Sequence, residues 1–193
     1  MSESFPSAYE YFKKCENILR SREKGRFDID GAWFQLSRKQ GLASVQNEKI
    51  VAPDICMGGN FTIDMDGKYY QTATIYGYIK KDSINISYKS LLAILNSNLC
   101  WWYIKSTGAV MSGGYYRYKP AYIKPFPMPS EHQIALIQDE LEVLVNEIMS
   151  KKLTDQECNV IEEENKIDDL VYKLYELSDT DISLIKKSIN SNE

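Results

Sequence analysis

Residues 49–80, KIVAPDICMGGNFTIDMDGKYYQTATIYGYIK, decide the fold class of this chain. The segment is rich in β-branched and aromatic residues and is interrupted by turn-forming dipeptides, a pattern that is typical of short strands. The apolar run at its start predicts a first strand, which Pro53 and Asp54 end. The pair Asp66-Gly67, between two further apolar runs, predicts the turn of a β-hairpin. The sequence therefore predicts a mixed or antiparallel sheet.

Helices are predicted on both sides of this β segment. Ser7 and Glu10 have the spacing of a capping box, and apolar residues then recur at helical spacing, so we expect one helix over residues 8–23. After the β segment, residues 91–95 predict a compact apolar helix, and alternating prolines end this part of the chain at Pro129. The expected fold class is therefore α+β, a mixed or antiparallel sheet with packed helices, followed by a C-terminal helical bundle or hairpin.

The C-terminal part, residues 130–193, is predicted to be helical. Three polar tetrads, which begin at Ser130, Thr154 and Ser178, have the composition of helix N-caps. Apolar residues follow them at spacings that give each helix a one-sided apolar stripe. The stripe residues are Ile134, Ile137, Leu141, Leu144 and Ile148, and then Ile167, Leu170, Val171, Leu174 and Leu177.

Charge divides the chain at the same place. The 193 residues carry a net charge of −4, but residues 1–130 hold 17 basic and 11 acidic side chains, whereas residues 131–193 hold 6 and 16. The first part is therefore at +6 and the second at −10. We predict a basic α+β domain over 1–129 and an acidic helical tail over 130–193, which packs on that domain or on a separate catalytic part. A basic domain attracts polyanions, so nucleic acid is the leading partner.

Several classes of function are disfavoured by the composition. No apolar run approaches the roughly 20 residues of a membrane helix, and the polar N-terminus has no leader pattern. The four cysteines are widely spaced, and the one histidine, His132, lies in a predicted helix cap, so disulfide scaffolds, zinc sites and histidine-based catalysis are disfavoured. Glycine-rich phosphate loops are missing as well. We expect a non-catalytic chain with no cofactor of its own and no membrane partner, in the reducing cytoplasm.

One catalytic pattern remains as an alternative. Asp54, Asp66 and Lys68 match the loose PD…(D/E)xK pattern of Mg²⁺-dependent nucleases, in which two carboxylates hold the metal and the lysine helps to activate water. The pattern contains few fixed residues, and a tight turn at Gly67 would separate the side chains on either side of it. A solvated hairpin is the preferred interpretation. A protein-interaction module that binds through the acidic helices is a further alternative.

Basic and aromatic side chains alternate after two glycines in the segment GGYYRYK, residues 113–119. Arginine forks onto guanine edges, lysine meets phosphates, and tyrosine contacts phosphates or stacks on exposed bases. Basic residues also lie near aromatic residues at 20–26, at 33–39 and at Lys105. The predicted DNA-binding residues are Arg22, Arg38, Lys39, Lys105, Tyr115, Tyr116, Arg117 and Lys119.

The order of several short motifs along the chain resembles a known family. The motifs are YEYFKK at 9–14, WFxLxR at 33–38, KIVAPDI at 49–55, LLAILNS at 91–97, GGYYRY at 113–118, IKPFPMP at 123–129 and IDDLVYxLY at 167–175. Together they span nearly the whole chain. In this order they resemble the TaqI-like C-terminal specificity domain of adenine-N6 DNA methyltransferases and of type IIG restriction–modification enzymes.

The resemblance implies a target recognition domain that reads double-stranded DNA. In that family the domain follows a methyltransferase domain, which binds S-adenosylmethionine and flips the target adenine. An N-terminal methyltransferase domain is therefore the implied protein partner, and S-adenosylmethionine, with Mg²⁺ as a second candidate, belongs to the parent enzyme. The Asn-Pro-Pro-Tyr type of catalytic motif is absent from this chain, so the chain by itself is not expected to methylate DNA.

Overall fold

A computed structural model describes residues 1–37, 41–71 and 74–190. The helices are α1 (Pro6–Lys14), α2 (Glu16–Gly25), α3 (Tyr88–Asn96), α4 (Asn98–Thr107), α5 (Pro120–Ile123), α6 (Glu131–Ala135), α7 (Gln138–Thr154), α8 (Ile161–Leu174) and α9 (Asp179–Asn190), with a 3₁₀ turn at Leu42–Ser44. The strands are β1 (Lys49–Pro53), β2 (Ile55–Cys56), β3 (Thr62–Asp64), β4 (Ile75–Tyr78), β5 (Val110–Met111) and β6 (Tyr115–Arg117). The predicted α+β class is confirmed, with small antiparallel sheets and C-terminal helices. The chain divides into two compact units, Met1–Leu42 and Ala43–Glu193.

The first unit contains α1 and α2, where we expected one helix over 8–23. The capping box predicted at Ser7 does not form, because α1 begins two residues earlier than predicted, at Pro6, with Phe5 as the N-cap. Proline suits the first helical position, where its missing N–H would have had no partner in any case. The helix is interrupted at Cys15, whose φ and ψ of −110° and 10° are not helical. The prediction of one continuous helix is therefore wrong.

The two sheets of the second unit are built on one extended stretch, residues 49–56. In the first sheet β1 is central and pairs antiparallel with β3 on one side and with β4 on the other. In the second sheet β2 pairs with β6, which also pairs with β5, again antiparallel. The stretch therefore changes partners at Asp54, the residue between β1 and β2.

The pair Asp66-Gly67 does not form the predicted hairpin turn, because β3 and β4 both pair with β1 and not with each other. Gly67 has a φ of 62°, and a Cβ atom there would lie 2.0 Å from the carbonyl oxygen of Gln46. Glycine is therefore required by a close approach of two loops. The carboxylate of Asp64 holds the loop in place, because it accepts hydrogen bonds of 3.0 Å from the backbone N–H groups of Lys68 and Tyr69.

The tight hairpin of this unit connects β5 and β6, where Met111 lies opposite Tyr115. Gly113 and Gly114 in the connection have φ values of 82° and 78°. Glycine adopts this left-handed conformation at far lower cost than other residues. The two glycines that the sequence places before the basic aromatic segment therefore make the turn that leads into β6.

The C-terminal helices pack against other helices of the second unit, and the predicted stripes supply buried residues to this packing. α7 contacts α3 and α8, and α9 contacts α4. Ile134, Leu141 and Val171 of the stripes are fully buried. Asp168 of α8 reaches the start of α4, where its carboxylate accepts a hydrogen bond of 2.7 Å from the N–H of Asn98. Burial raises the pKa of Asp168 to about 6. The division into two domains after residue 129 stays a prediction.

Two of the three predicted N-caps of this part are confirmed. Ser130 forms a capping box at the start of α6. The Oγ of Ser178 accepts a hydrogen bond from the N–H of Asp181, at the start of α9. The prediction at Thr154 is wrong, because this residue is the last of α7. None of the helices in the described ranges combines the length and hydropathy that crossing a bilayer requires.

Candidate nucleic-acid interface

The residues of β6 and those directly after it alternate between the core and the surface. Tyr116 and Tyr118 are buried, with 9% and 1% of their surface exposed. Tyr115 is exposed, and Arg117 and Lys119 are partly exposed. This alternation follows from the two-residue period of a strand. Three of the predicted DNA-binding residues, Tyr115, Arg117 and Lys119, therefore share one outward side, which we call the β6 face.

Tyr116 does not lie on the surface where the sequence analysis placed it. Its ring lies edge-on to that of Trp101, with 5.2 Å between the ring centroids. Tyr118 stacks on the same indole at an interplanar angle of 16°, and its hydroxyl donates a hydrogen bond of 2.6 Å to the carbonyl oxygen of Gly58. Both inward tyrosines thus join the sheet to α4. Their burial excludes them from the β6 face.

Arg117 lies beside an acidic residue, Asp54, that is 63 positions away in the sequence. Its Nη2 is 3.4 Å from the Oδ2 of Asp54. Ile55 lies opposite Arg117 in the pairing of β2 with β6, and this register brings the preceding residue, Asp54, next to the guanidinium group. The two side chains remain 33% and 15% exposed, respectively. No local sequence signal links them, because the contact depends on how two distant strands pair.

Lys105 has a role within the fold. Its Nζ donates a hydrogen bond to the carbonyl oxygen of Ser188 and therefore ties α4 to α9. The same ammonium group lies 6.0 Å from the centroid of the Trp101 ring, a cation–π contact. Its predicted contact with DNA is a further role, which stays a prediction.

Arg22, in the first unit, is likewise engaged in the fold. Its guanidinium group donates hydrogen bonds to three backbone carbonyl oxygens of that unit. It also lies 4.6 Å from the centroid of the Phe27 ring. The predicted DNA-binding residues Arg38 and Lys39 lie outside the described residues. DNA binding by all three basic residues stays a prediction.

The three residues of the nuclease pattern are divided between two ion pairs. Asp66 and Lys68 form an ion pair with each other, and both side chains are largely exposed. Asp54 pairs with Arg117 instead. Within the described ranges, no group of three or more histidine, cysteine, aspartate and glutamate side chains could hold a metal ion. Asp54 therefore lies beside the guanidinium group of Arg117, whereas the nuclease pattern would have it hold Mg²⁺.

Comparison with known proteins agrees with the motif order. Residues 7–128 match the family model of the TaqI-like C-terminal specificity domain. The chain is also similar to the type II methyltransferase M.BstVI of Geobacillus stearothermophilus, with 27% identity over 187 residues. That alignment covers 97% of this chain but only 30% of the relative, so the chain spans less than a third of the relative's length. Because the family model matches more than half of its residues, this chain belongs to the family of TaqI-like C-terminal specificity domains.

Proposed function

We propose that this chain recognises double-stranded DNA in a sequence-specific way, as the specificity domain of a restriction–modification enzyme. The observation that carries the proposal is the β6 face, which places Tyr115, Arg117 and Lys119 on the outward side of β6 and of the extended residues directly after it. The face belongs to the part of the chain, residues 1–130, that has a net charge of +6. Membership in a family of specificity domains supports the same function.

Each residue of the β6 face suits one component of duplex DNA. The guanidinium fork of Arg117 matches the O6 and N7 acceptors that guanine presents in the major groove. Lys119 supplies a compact positive charge for a phosphate group. Tyr115 is 44% exposed, and its hydroxyl is suited to a hydrogen bond with a backbone phosphate. In this mechanism the phosphate contacts position the protein and the arginine discriminates between bases.

Four further basic residues are proposed to contact DNA. We propose phosphate contacts for Arg22, Arg38, Lys39 and Lys105, because such contacts release counterions and raise the affinity for any DNA sequence. The three hydrogen bonds of Arg22 within the first unit use Nε and Nη2, so its Nη1 is the donor that we assign to a phosphate. Lys105 would contribute through its positive charge. These residues would contribute affinity rather than discrimination between sequences.

The proposed partner is a methyltransferase domain that forms the other wall of the DNA cleft. The similar protein from Geobacillus stearothermophilus is a methyltransferase of which this chain covers 30%. We propose that such a domain binds S-adenosylmethionine and carries out the chemistry on adenine, and that this chain is not catalytic by itself. A cytoplasmic location fits this role, because the four cysteines are free and thiols stay reduced there.

The double variant Arg117→Ala/Lys119→Ala tests the proposed interface. At low salt, we expect its affinity for a duplex of mixed sequence to fall roughly tenfold. The slope of log affinity against log salt concentration should become shallower by an amount that corresponds to about two phosphate contacts at most. A fluorescence anisotropy titration at several salt concentrations measures both quantities.

A matched control removes two positive charges from α9, in the acidic C-terminal part of the chain, in the variant Lys186→Ala/Lys187→Ala. This variant should bind DNA nearly as well as the wild-type chain. Equal affinities of the wild type and of the Arg117→Ala/Lys119→Ala variant would contradict the assignment of the β6 face.

A further inference from the structure

We propose that Asp54 is a positioning residue that directs Arg117 to the edge of a guanine base and away from phosphates. This inference rests on the proposed function, because it concerns how the β6 face discriminates between DNA sequences. It is carried by three features of the second unit, namely the fixed backbone of Asp54, its contact with Arg117, and the buried atoms of both side chains that have no hydrogen-bond partner.

The backbone of Asp54 is held from two sides. Its N–H donates a hydrogen bond of 2.8 Å to the carbonyl oxygen of Thr74, and its carbonyl oxygen accepts one of 2.7 Å from the N–H of Tyr118. These bonds lie where the extended stretch passes from the first sheet to the second. The backbone position from which the Asp54 side chain extends is therefore fixed relative to β6, the strand that contains Arg117.

The contact between the two side chains is close but incomplete. Oδ2 of Asp54 lies 3.4 Å from Nη2 of Arg117, an ion pair that lacks the geometry of a hydrogen bond. Oδ1 of Asp54 and Nε of Arg117 are both buried, and neither has a hydrogen-bond partner among the described residues. Buried polar atoms without partners destabilise a fold, and most native proteins contain few of them. An arrangement that served stability alone would join these atoms in a bidentate pair.

Burial also determines which atoms of the pair can touch a ligand. Because Nε of Arg117 is buried, only the terminal nitrogens of the guanidinium group can reach DNA. Asp54 is 15% exposed and its Oδ1 is buried, so the carboxylate acts through Arg117 and does not itself read a base. The carboxylate limits the directions in which the arginine points, which reduces the entropy that the arginine loses on binding.

The negative charge of Asp54 also discriminates between the two acceptors that duplex DNA offers to arginine. A phosphate group that approached Arg117 would come close to the carboxylate of Asp54, and the like charges would repel each other. The O6 and N7 atoms of guanine carry no net charge and accept both N–H groups of the fork. Adenine presents an amino donor in place of O6 and would leave one N–H of the arginine without an acceptor. The pair therefore favours guanine.

Selection from a pool of random-sequence DNA duplexes tests this inference. The wild-type chain, Asp54→Asn, Arg117→Lys and the control Asp66→Asn are each used to select duplexes at low salt, and the selected pools are sequenced. Asp66 pairs with Lys68 in an exposed loop, so its variant removes the same charge without touching Arg117. Thermal melting establishes that each variant is folded.

We expect the wild type and Asp66→Asn to select a motif with the same guanine. Arg117→Lys, which keeps the charge but loses the fork, should lose that preference. Asp54→Asn should weaken it by a smaller factor, at most the roughly tenfold discrimination that one bidentate base contact supplies. The affinity of Asp54→Asn for unselected duplex should rise more than that of Asp66→Asn, because only Asp54 keeps phosphates away from Arg117.

Two results would overturn the inference in different ways. If Asp54→Asn is folded and selects the same motif with the same strength as the wild type, Asp54 does not position Arg117, while the proposed function stands. If the wild-type chain shows no affinity for any duplex at low salt, the proposed function itself fails and this inference fails with it.

Discussion

At the first residue of β1, Lys49 pairs with Asp64, and directly after the last residue of the same strand, Asp54 pairs with Arg117. The side chains of the first pair are 1% and 3% exposed, whereas those of the second pair are 15% and 33% exposed. One strand thus carries a fully buried ion pair at one end and a partly exposed ion pair at the other.

The two pairs differ in how completely their hydrogen bonds are satisfied. Nζ of Lys49 donates to the carbonyl oxygen of Val45 at 2.6 Å as well as to Asp64. Asp64 also accepts from two backbone N–H groups of the loop after β3. In contrast, Asp54 and Arg117 each keep a buried polar atom without a partner among the described residues. We conclude that the first pair holds two loops in place, and we interpret the second as a pair in which the carboxylate orients the arginine, whose terminal nitrogens stay available to a ligand.

Breaking the buried pair should have the largest effect on the fold. In Lys49→Met the carboxylate of Asp64 would stay buried without its cation, a change that strongly destabilises proteins. We expect the melting temperature to fall on the order of 10 °C. Circular dichroism at neutral pH measures it.

The matched control is Lys68→Met, which removes the cation of an exposed pair in a neighbouring loop. Its melting temperature should change by less than about 2 °C. Similar losses in the two lysine variants would show that burial does not distinguish these pairs.

The second largest effect on the fold is expected from acid, which should reduce the stability that the Lys49–Asp64 pair contributes. Burial by itself would raise the pKa of Asp64, but the side chain of Lys49 and the N–H groups of Tyr69 and Lys68 outweigh it and hold this pKa at about 2, below the ordinary value of 3.8. A carboxylate with a lowered pKa in the folded state contributes stability that is present above the unfolded value and is lost as the pH falls through the folded value. We therefore expect this contribution to disappear between about pH 4 and pH 2.

Comparison of the wild type with Asp64→Asn isolates this contribution, because asparagine does not titrate. The difference between their melting temperatures should be constant above pH 5 and should shrink as the pH falls toward 2. A difference that stays the same over this range would show that the charge of Asp64 is not the source of the stabilisation.

The smallest effect on the fold is expected at the other end of the strand. Asp54→Asn should change the melting temperature by no more than about 2 °C, because partly exposed ion pairs contribute little and one oxygen of this carboxylate is already unpaired. Thermal melting at neutral pH checks this. If the melting temperature fell as far as that of Lys49→Met, Asp54 would be a residue that stabilises the fold. The contrast between the two ion pairs would then disappear.

Local patterns predicted the C-terminal helices well, although they missed the break at Cys15 and placed an N-cap at Thr154, where α7 ends. The apolar stripes of the acidic helices contain Ile134, Leu141 and Val171, all of which are fully buried. The caps at Ser130 and Ser178 are confirmed, because a cap involves residues within a single turn. The hairpin predicted at Asp66-Gly67 failed, because the strands around it both pair with β1 rather than with each other. Local turn chemistry does not select the partner of a strand.

The sequence by itself determined the α+β class, the helical C-terminal part, the separation of charge and the family, since each depends on composition or on motif order. Only the tertiary structure decided that Tyr116 lies in the core while Tyr115 and Arg117 face outward, and that Asp54 lies beside Arg117. The physical reason is the register of paired strands. A shift of one residue moves a side chain to the opposite face of a sheet, and the register depends on contacts between segments that are far apart in the chain.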